Sequence, residues 1–451
     1  MENRQENKMG VMPVKKLIIT MSLPMMASML VQALYNIVDS IFVARLSEEA
    51  LTSVTLAFPL QNMMIAVASG TGVGVNALLS KALGEKKFER SDKAANMAIL
   101  LSFCNYILFL LISLLVAGPF IYSQTQDPVV AGEGITYLKI VTGLSMGLMC
   151  QVMFERLLQS TGRTVYSMIS QMTGAIINII LDPIMIFGYF GMPALGVAGA
   201  AYATVIGQSA AALIGLTLNI RYNSDIRFSL KSVMSPDRRI IGHIYQVGVP
   251  SILMMSIGSL MTYLMNRILI TFSNTATAVF GVYFKLQSFF FMPVFGLNNG
   301  LIPVLAYNYG ARKKDRIDEA LKFSMVLAVS IMLLGTILFH LIPEKLLELF
   351  NAQRDMIEIG VPALRIISLN FPIAATCIVM GSIFQAFSRS IYSLIVSIAR
   401  QIIVLIPVAW LLSRTGVVTN VWWAFPIAEI VSLILSVFYF RKLYGEIVGP
   451  M

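Results

Sequence analysis

Three side chains in the stretch NIILDPIMIF and its surroundings could do chemistry inside an apolar environment: Asn178, Asp182 and, far upstream, Asp39. An ionised aspartate at the centre of a bilayer costs from about 2.5 kcal/mol to more than 10, so a chain that keeps two must use them. Asn178 and Asp182 are spaced i, i+4 and share one helix face; Gln32, Asn36 and Asp39 are spaced i, i+4, i+7 and share another. Pro183 removes a backbone donor behind Asp182 and leaves the Ile179 carbonyl without its usual partner, and Pro24 does the same for Thr20. Two carboxylates that converge in a low dielectric titrate as one coupled pair. With neutral oxygens from Asn36, Asn178 and Thr204 they form a reversible proton site or a sodium site.

The elements that must position these groups are membrane helices. Apolar residues make up 57% of the 451 and charged residues only 12%, and the mean hydropathy is +0.78, well above that of soluble domains. The apolar runs are long enough to span as helices, and none shows the alternation of a barrel strand. Twelve spans are expected, near 17–44, 52–81, 93–120, 130–160, 164–189, 195–220, 241–272, 276–308, 318–342, 355–386, 390–413 and 417–440. The polar start of the chain, followed by so long an apolar run, is unlike a cleavable signal peptide. Cys104, Cys150 and Cys377 each stand alone in an apolar segment and read as small core side chains.

Alternate loops are basic. One set carries Arg4, Lys8, Lys15 and Lys16, then Lys81 to Lys93, Arg156 and Arg163, the linker cations Arg221 to Arg239, Arg312 to Lys322, Arg389, Arg441 and Lys442; the other has only Arg45, Lys345, Arg354 and Arg414. The positive-inside rule puts the rich side, and both termini, in the cytoplasm. Topology thus accounts for the net charge of +10 without a nucleic-acid partner.

Sliding the sequence over itself by 226 positions pairs Pro24 with Pro250, Gln61 with Gln287, Gly70 with Gly296, Gly74 with Gly300 and GEKKFERSDKA with GARKKDRIDEA. The fold class that follows is an all-α membrane protein of two six-helix bundles, related by a pseudo-two-fold axis along the membrane normal. The bundles are residues 1–220 and 241–451, joined by a cytoplasmic linker at 221–240. In the same register Asp39 meets Met265, and Asn178 and Asp182 meet Val404 and Val408. The scaffold is repeated, but its carboxylates are not. The glycines of SGTGVGVNA lack a phosphate-loop lysine and read as close-packing positions. Only two other acids lie deep in spans: Glu155, beside Arg156, reads as half of an ion pair, and Glu429 as a partner of Arg400 or Lys285, each with secondary coupling as the alternative.

With SLPMMASMLVQALYNIVDSIFVARL, FERLLQSTGRTVYSMI, NIILDPIMIFG and GVAGAAYATVIGQ in view, the chain resembles the multidrug and toxic compound extrusion (MATE) transporters over nearly its full length, particularly the MepA-like members of the DinF branch. The resemblance implies a V-shaped pair of bundles in the cytoplasmic (inner) membrane that alternates between two openings and exports amphipathic, often cationic compounds in exchange for H⁺ or Na⁺. It implies coupling-cation contacts at Asp39, Asn178, Asp182 and Thr204, and a substrate surface formed by Gln32, Asn36, Asp39 and Asn178. No organic cofactor and no structural metal is expected. The expected partners are small cationic substrates and membrane lipids, with the chain acting as a monomer. A lipid-linked oligosaccharide flippase is the rival reading, kept open by Arg267, Lys285 and Arg400. An enzyme is disfavoured, because no nucleophile–base pair or metal cluster is evident.

Overall fold

The computed structural model describes residues 6–350 and 352–451, so Arg4 of the basic end lies outside the described residues. Ten helices are long and apolar enough to cross a membrane, and two bent pairs complete twelve spans when each pair counts as one. In chain order they are α1 (Val14–Ala44), α2 (Glu48–Gly84), α3 (Phe88–Leu115), α4 (Pro128–Gly143 with Met146–Ser160), α5 (Thr164–Phe187) and α6 (Val197–Tyr222). The second half continues with α7 (Arg238–Leu269), α8 (Asn274–Gly310), α9 (Lys314–Leu341), α10 (Arg354–Ser368 with Phe371–Ala386), α11 (Ser390–Ser413) and α12 (Val418–Val448). Several helices begin earlier than hydropathy suggests, because capped polar turns extend them. Ser47 accepts from the Ala50 amide and its repeat mate Ser273 from the Ala276 amide, both at 3.0 Å, satisfying donors that a helix start leaves open.

The repeat is visible in detail. The bends of α4 and α10, 45° each, fall at equivalent positions. Where α5 stays α-helical through Pro183, α11 loosens into a π-helical turn over Ala399–Leu405 just ahead of Pro407. Such a turn is one way for a helix to absorb a displaced hydrogen-bond ladder.

The halves meet through glycines at the end of the bundle that carries both termini. A Cβ on Gly74 would lie 2.1 Å from the Ile244 carbonyl oxygen of α7, and one on Gly300 2.8 Å from Ser22 Cα of α1. Gly84 and Gly310, at the turns after α2 and α8, pack reciprocally against Tyr307 and Lys81. The close-packing role expected of these glycines is therefore played between the halves. Among the described residues, the cross-half hydrogen bond nearest the opposite end is Asn62 Nδ2 to Ser259 Oγ, 2.9 Å, near mid-height. Beyond it the halves part. Asn36 and Ser40 lie on the face of α1 that, further down, carries Ser22. Both are exposed, so they look into the gap.

The segment before α1 reinforces the closed end. Asn7 donates to the Thr161 carbonyl of the first half (2.9 Å) and to Asp225 of the linker (3.2 Å). From the second half, Lys313 donates to the Gly10 carbonyl (2.9 Å), and Arg316 to those of Met9 (3.0 Å) and Met12 (2.7 Å). Docking leaves Met9 fully buried and lowers the Lys8 ammonium pKa through burial and the nearby Arg163. Charge-assisted bonds of this kind contribute about 1.5–3 kcal/mol each. Arg316→Ala is therefore expected to raise the maleimide labelling rate of Met9→Cys at least 10-fold in a background lacking the native cysteines; an unchanged rate would show the strap to be ornamental.

Candidate functional site

The predicted polar residues come together within the first half, where α1, α5 and α6 pack. The Asp39 and Asp182 carboxyl groups are neighbours. Asn178 donates to Thr204 Oγ1 of α6 at 3.3 Å. Asn178, Asp182 and Thr204 are buried, at 2%, 0% and 3% exposure, whereas Asp39 is half-buried at the edge of the gap. Asn178 therefore sits behind the gap wall in this conformation rather than on it.

Four buried oxygens of this cluster find no donor among the described residues: Asp39 Oδ1, Asn178 Oδ1 and both carboxylate oxygens of Asp182. An ionised carboxylate only accepts, and unpartnered buried acceptors are expensive. The oxygen set therefore fits a cation, whether a proton shared by the two acids or a small hard ion held by oxygens.

Two tyrosines complete the cluster and were not anticipated. Tyr35 stands close to Thr204 and to both acids. Tyr137 of α4 donates to Gln61 of α2 at 3.3 Å and lies near Asp39 and Tyr35. Tyr35 precedes Asp39 by four residues, so its place on the Asp39 face was legible; Tyr137 gave no such signal.

Gln32 bonds sideways rather than facing the gap alone. It accepts from Gln171 of α5 at 2.8 Å, and Gln171 in turn accepts from Ser28, so this stretch of α1 is stitched to α5. The expected Glu155–Arg156 pair does not form. Neighbouring helix residues diverge by about 100°; Glu155 takes a bond from Gln151 at 2.9 Å, while Arg156 reaches Asn299 of the other half at 3.1 Å. Glu429 does meet Arg400, at 3.5 Å. Lys285 instead stands over the Phe350 ring, 5.9 Å from its centroid.

A model of the MatE family matches residues 24–184 and 250–411, once in each half. The chain belongs to the MatE family. It is thus a transporter rather than an enzyme, with multiple membrane-crossing helices. It is 27% identical over 431 residues to the multidrug export protein MepA of Staphylococcus haemolyticus, covering 94% of this chain and 93% of that one. MepA of Staphylococcus aureus strain MSSA476 is 27% identical over 424 residues, with 92% and 91% covered. Among solved folds, a MATE transporter in complex with MaL6 and an outward-facing multidrug resistance MATE transporter each superpose with TM-score 0.93 at 24% identity, covering all of both chains. Their likeness establishes the two-lobed helical fold, and the halves described above are its lobes.

Proposed function

We propose that this MatE-family chain is a multidrug exporter that works as a secondary active antiporter, moving amphipathic cations outward in exchange for H⁺ or Na⁺ by alternating access. The observation that carries the reading is the donor-starved Asp39–Asp182 pair at the edge of the inter-lobe gap. Multidrug export by the MepA relatives supports the substrate class, and the positive-inside rule assigns the closed, terminus-bearing end to the cytoplasm. On this reading the open end of the gap faces outward. An ion entering from outside neutralises the pair, weakens its hold on a cationic drug and favours release. The loaded lobe turns inward, the ion leaves to the cytoplasm, and the recharged carboxylates accept the next drug. One charge crossing the field supplies about 2.3 kcal/mol per 100 mV, and a concentration gradient adds to it.

Proteoliposomes loaded with a cationic dye test the proposal. Dye movement is expected when either a pH or a sodium gradient is imposed alone, and the responding gradient names the ion. Movement indifferent to both gradients, or transfer of lipid-linked sugar instead of dye, would overturn it.

A further inference from the structure

At the closed end, outside the inter-lobe gap, a cavity of about 930 Å³ opens between the α2–α3 turn of one lobe and the start of α7 of the other. Five cations line it: Lys86, Lys87, Arg90, Lys93 and Arg239. Its two carboxylates are both engaged, one with a lining cation and one with backbone. Glu89 pairs with Lys93 at 2.9 Å, and Asp237 caps α7 by accepting from the Arg239 and Ile240 amides at 2.9 and 3.2 Å. Just outside, Glu85 takes up Lys87 at 2.8 Å and Arg90 at 3.8 Å. Lys86 and Arg239 are exposed, and neither has a carboxylate within 4 Å among the described residues.

The internal repeat indicates what such a cluster accepts. Lys86, Lys87 and Arg90 correspond to Arg312, Lys313 and Arg316 in the other lobe. There two of the three cations are occupied by the chain itself: Lys313 and Arg316 hold carbonyl oxygens of Gly10, Met9 and Met12. The counterpart of that strap is the interlobe linker, and it docks higher on α3. The Arg227 amide donates to Asp92 and the Ser229 amide to Asn96, both at 2.9 Å. Among the described residues, its main chain therefore makes no bond to the cations of the basic turn. The turn that holds main-chain carbonyls in one lobe holds none among the described residues in the other, where Glu85 takes up Lys87 and Arg90 and leaves Lys86 without a carboxylate.

We propose that this open turn binds the phosphate headgroup of an anionic membrane lipid, which bridges the lobes and holds this end closed. Two features select a lipid over a free anion. Phe88 and Ile240, first-turn residues of membrane helices, give the cavity an apolar wall where acyl chains begin. The cations also sit at the bundle end where basic residues meet an anionic leaflet. Because Lys86 belongs to one lobe and Arg239 to the other, a headgroup held by both favours the state in which they adjoin. A ligand shifts a conformational equilibrium only by its differential affinity for the two states, and parting the lobes at this end would halve the site.

The test uses full-length protein in lipid nanodiscs and in detergent, as wild type and as the Lys86→Gln/Arg239→Gln double variant. Native mass spectrometry is expected to show phosphatidylglycerol retained over phosphatidylcholine by the wild type. At about 1 kcal/mol per basic residue, the variant should retain it roughly 30-fold less well, with an unchanged unfolding midpoint in phosphatidylcholine. Glycerol phosphate and inorganic phosphate, added at the same concentrations, are expected not to compete. Spin labels at Gln126→Cys and Gln353→Cys, on the open end of each lobe, should report a larger long-distance population as phosphatidylglycerol replaces phosphatidylcholine. Equal retention by variant and wild type would overturn the site. Competition by free phosphate would overturn the lipid as its occupant, and an unmoved distance distribution would overturn the bridging role.

Discussion

Asp182→Asn and Asp39→Asn are each expected to reduce gradient-driven efflux at least 100-fold while leaving the protein folded and in the membrane. In the native chain two acceptor-only groups face each other with oxygens unpartnered. An asparagine at either position is nearly isosteric and brings an amide donor to the remaining carboxylate. The substitution therefore removes a like-charge contact in low dielectric and adds a hydrogen bond. The thermal midpoint is expected to hold or rise as transport disappears, the opposite of what a damaged core gives. Purely structural acids would yield the reverse, a lower midpoint with efflux preserved among the surviving molecules. The two variants should also differ. Asp182 is sealed from solvent, whereas Asp39 stands at the edge of the gap beside exposed Asn36, so Asp39→Asn should additionally weaken binding of a cationic dye measured without any gradient. Full efflux by both variants would sink the antiport mechanism.

How much of this was legible in the sequence depends on whether a partner sits on the same helix. The i, i+4 pairing of Asn178 with Asp182 and the 226-residue register could be read directly, because helical periodicity and repetition are properties of one dimension. The glycine pairs were legible as close-approach positions, but a sequence does not say what approaches; the structure supplies Ile244 for Gly74 and Ser22 for Gly300. Cross-helix chemistry stayed hidden for the same reason. Tyr137 reads as an ordinary apolar aromatic until the fold packs α4 on α2 and brings this ring near Asp39. Arg156, adjacent in sequence to Glu155, is turned by the helix toward the opposite lobe. The strap over residues 6–12 was invisible because most of its bonds run through backbone carbonyls, which carry no sequence signature. Under the alternating access proposed above, which end of the gap is open is likewise a balance between two arrangements of the same contacts, which one sequence does not rank.

That balance is the basis for a second large effect, at glycines remote from the carboxylates. A Cβ on Gly84 would lie 1.9 Å from the Tyr307 carbonyl oxygen, and one on Gly310 2.3 Å from that of Lys81. Both obstacles are backbone in the other lobe, so no rotamer change relieves them; the lobes must separate at that end. Gly84→Ala and Gly310→Ala are therefore expected to disfavour this conformation on the order of 3 kcal/mol, roughly 150-fold in the equilibrium between states. Efflux should fall sharply, and labels at Gln126→Cys and Gln353→Cys should move toward shorter distances, since closing the open end accompanies release of the closed one. Gly132→Ala, where a Cβ meets nothing within 4 Å, is the control and should transport normally. The double variant separates an interface effect from local damage. If one lobe movement relieves both clashes, Gly84→Ala/Gly310→Ala costs clearly less than the sum of the singles, as coupled sites do. Strictly additive losses would instead place the damage within each lobe, and the glycines would lose their role in setting which end is open.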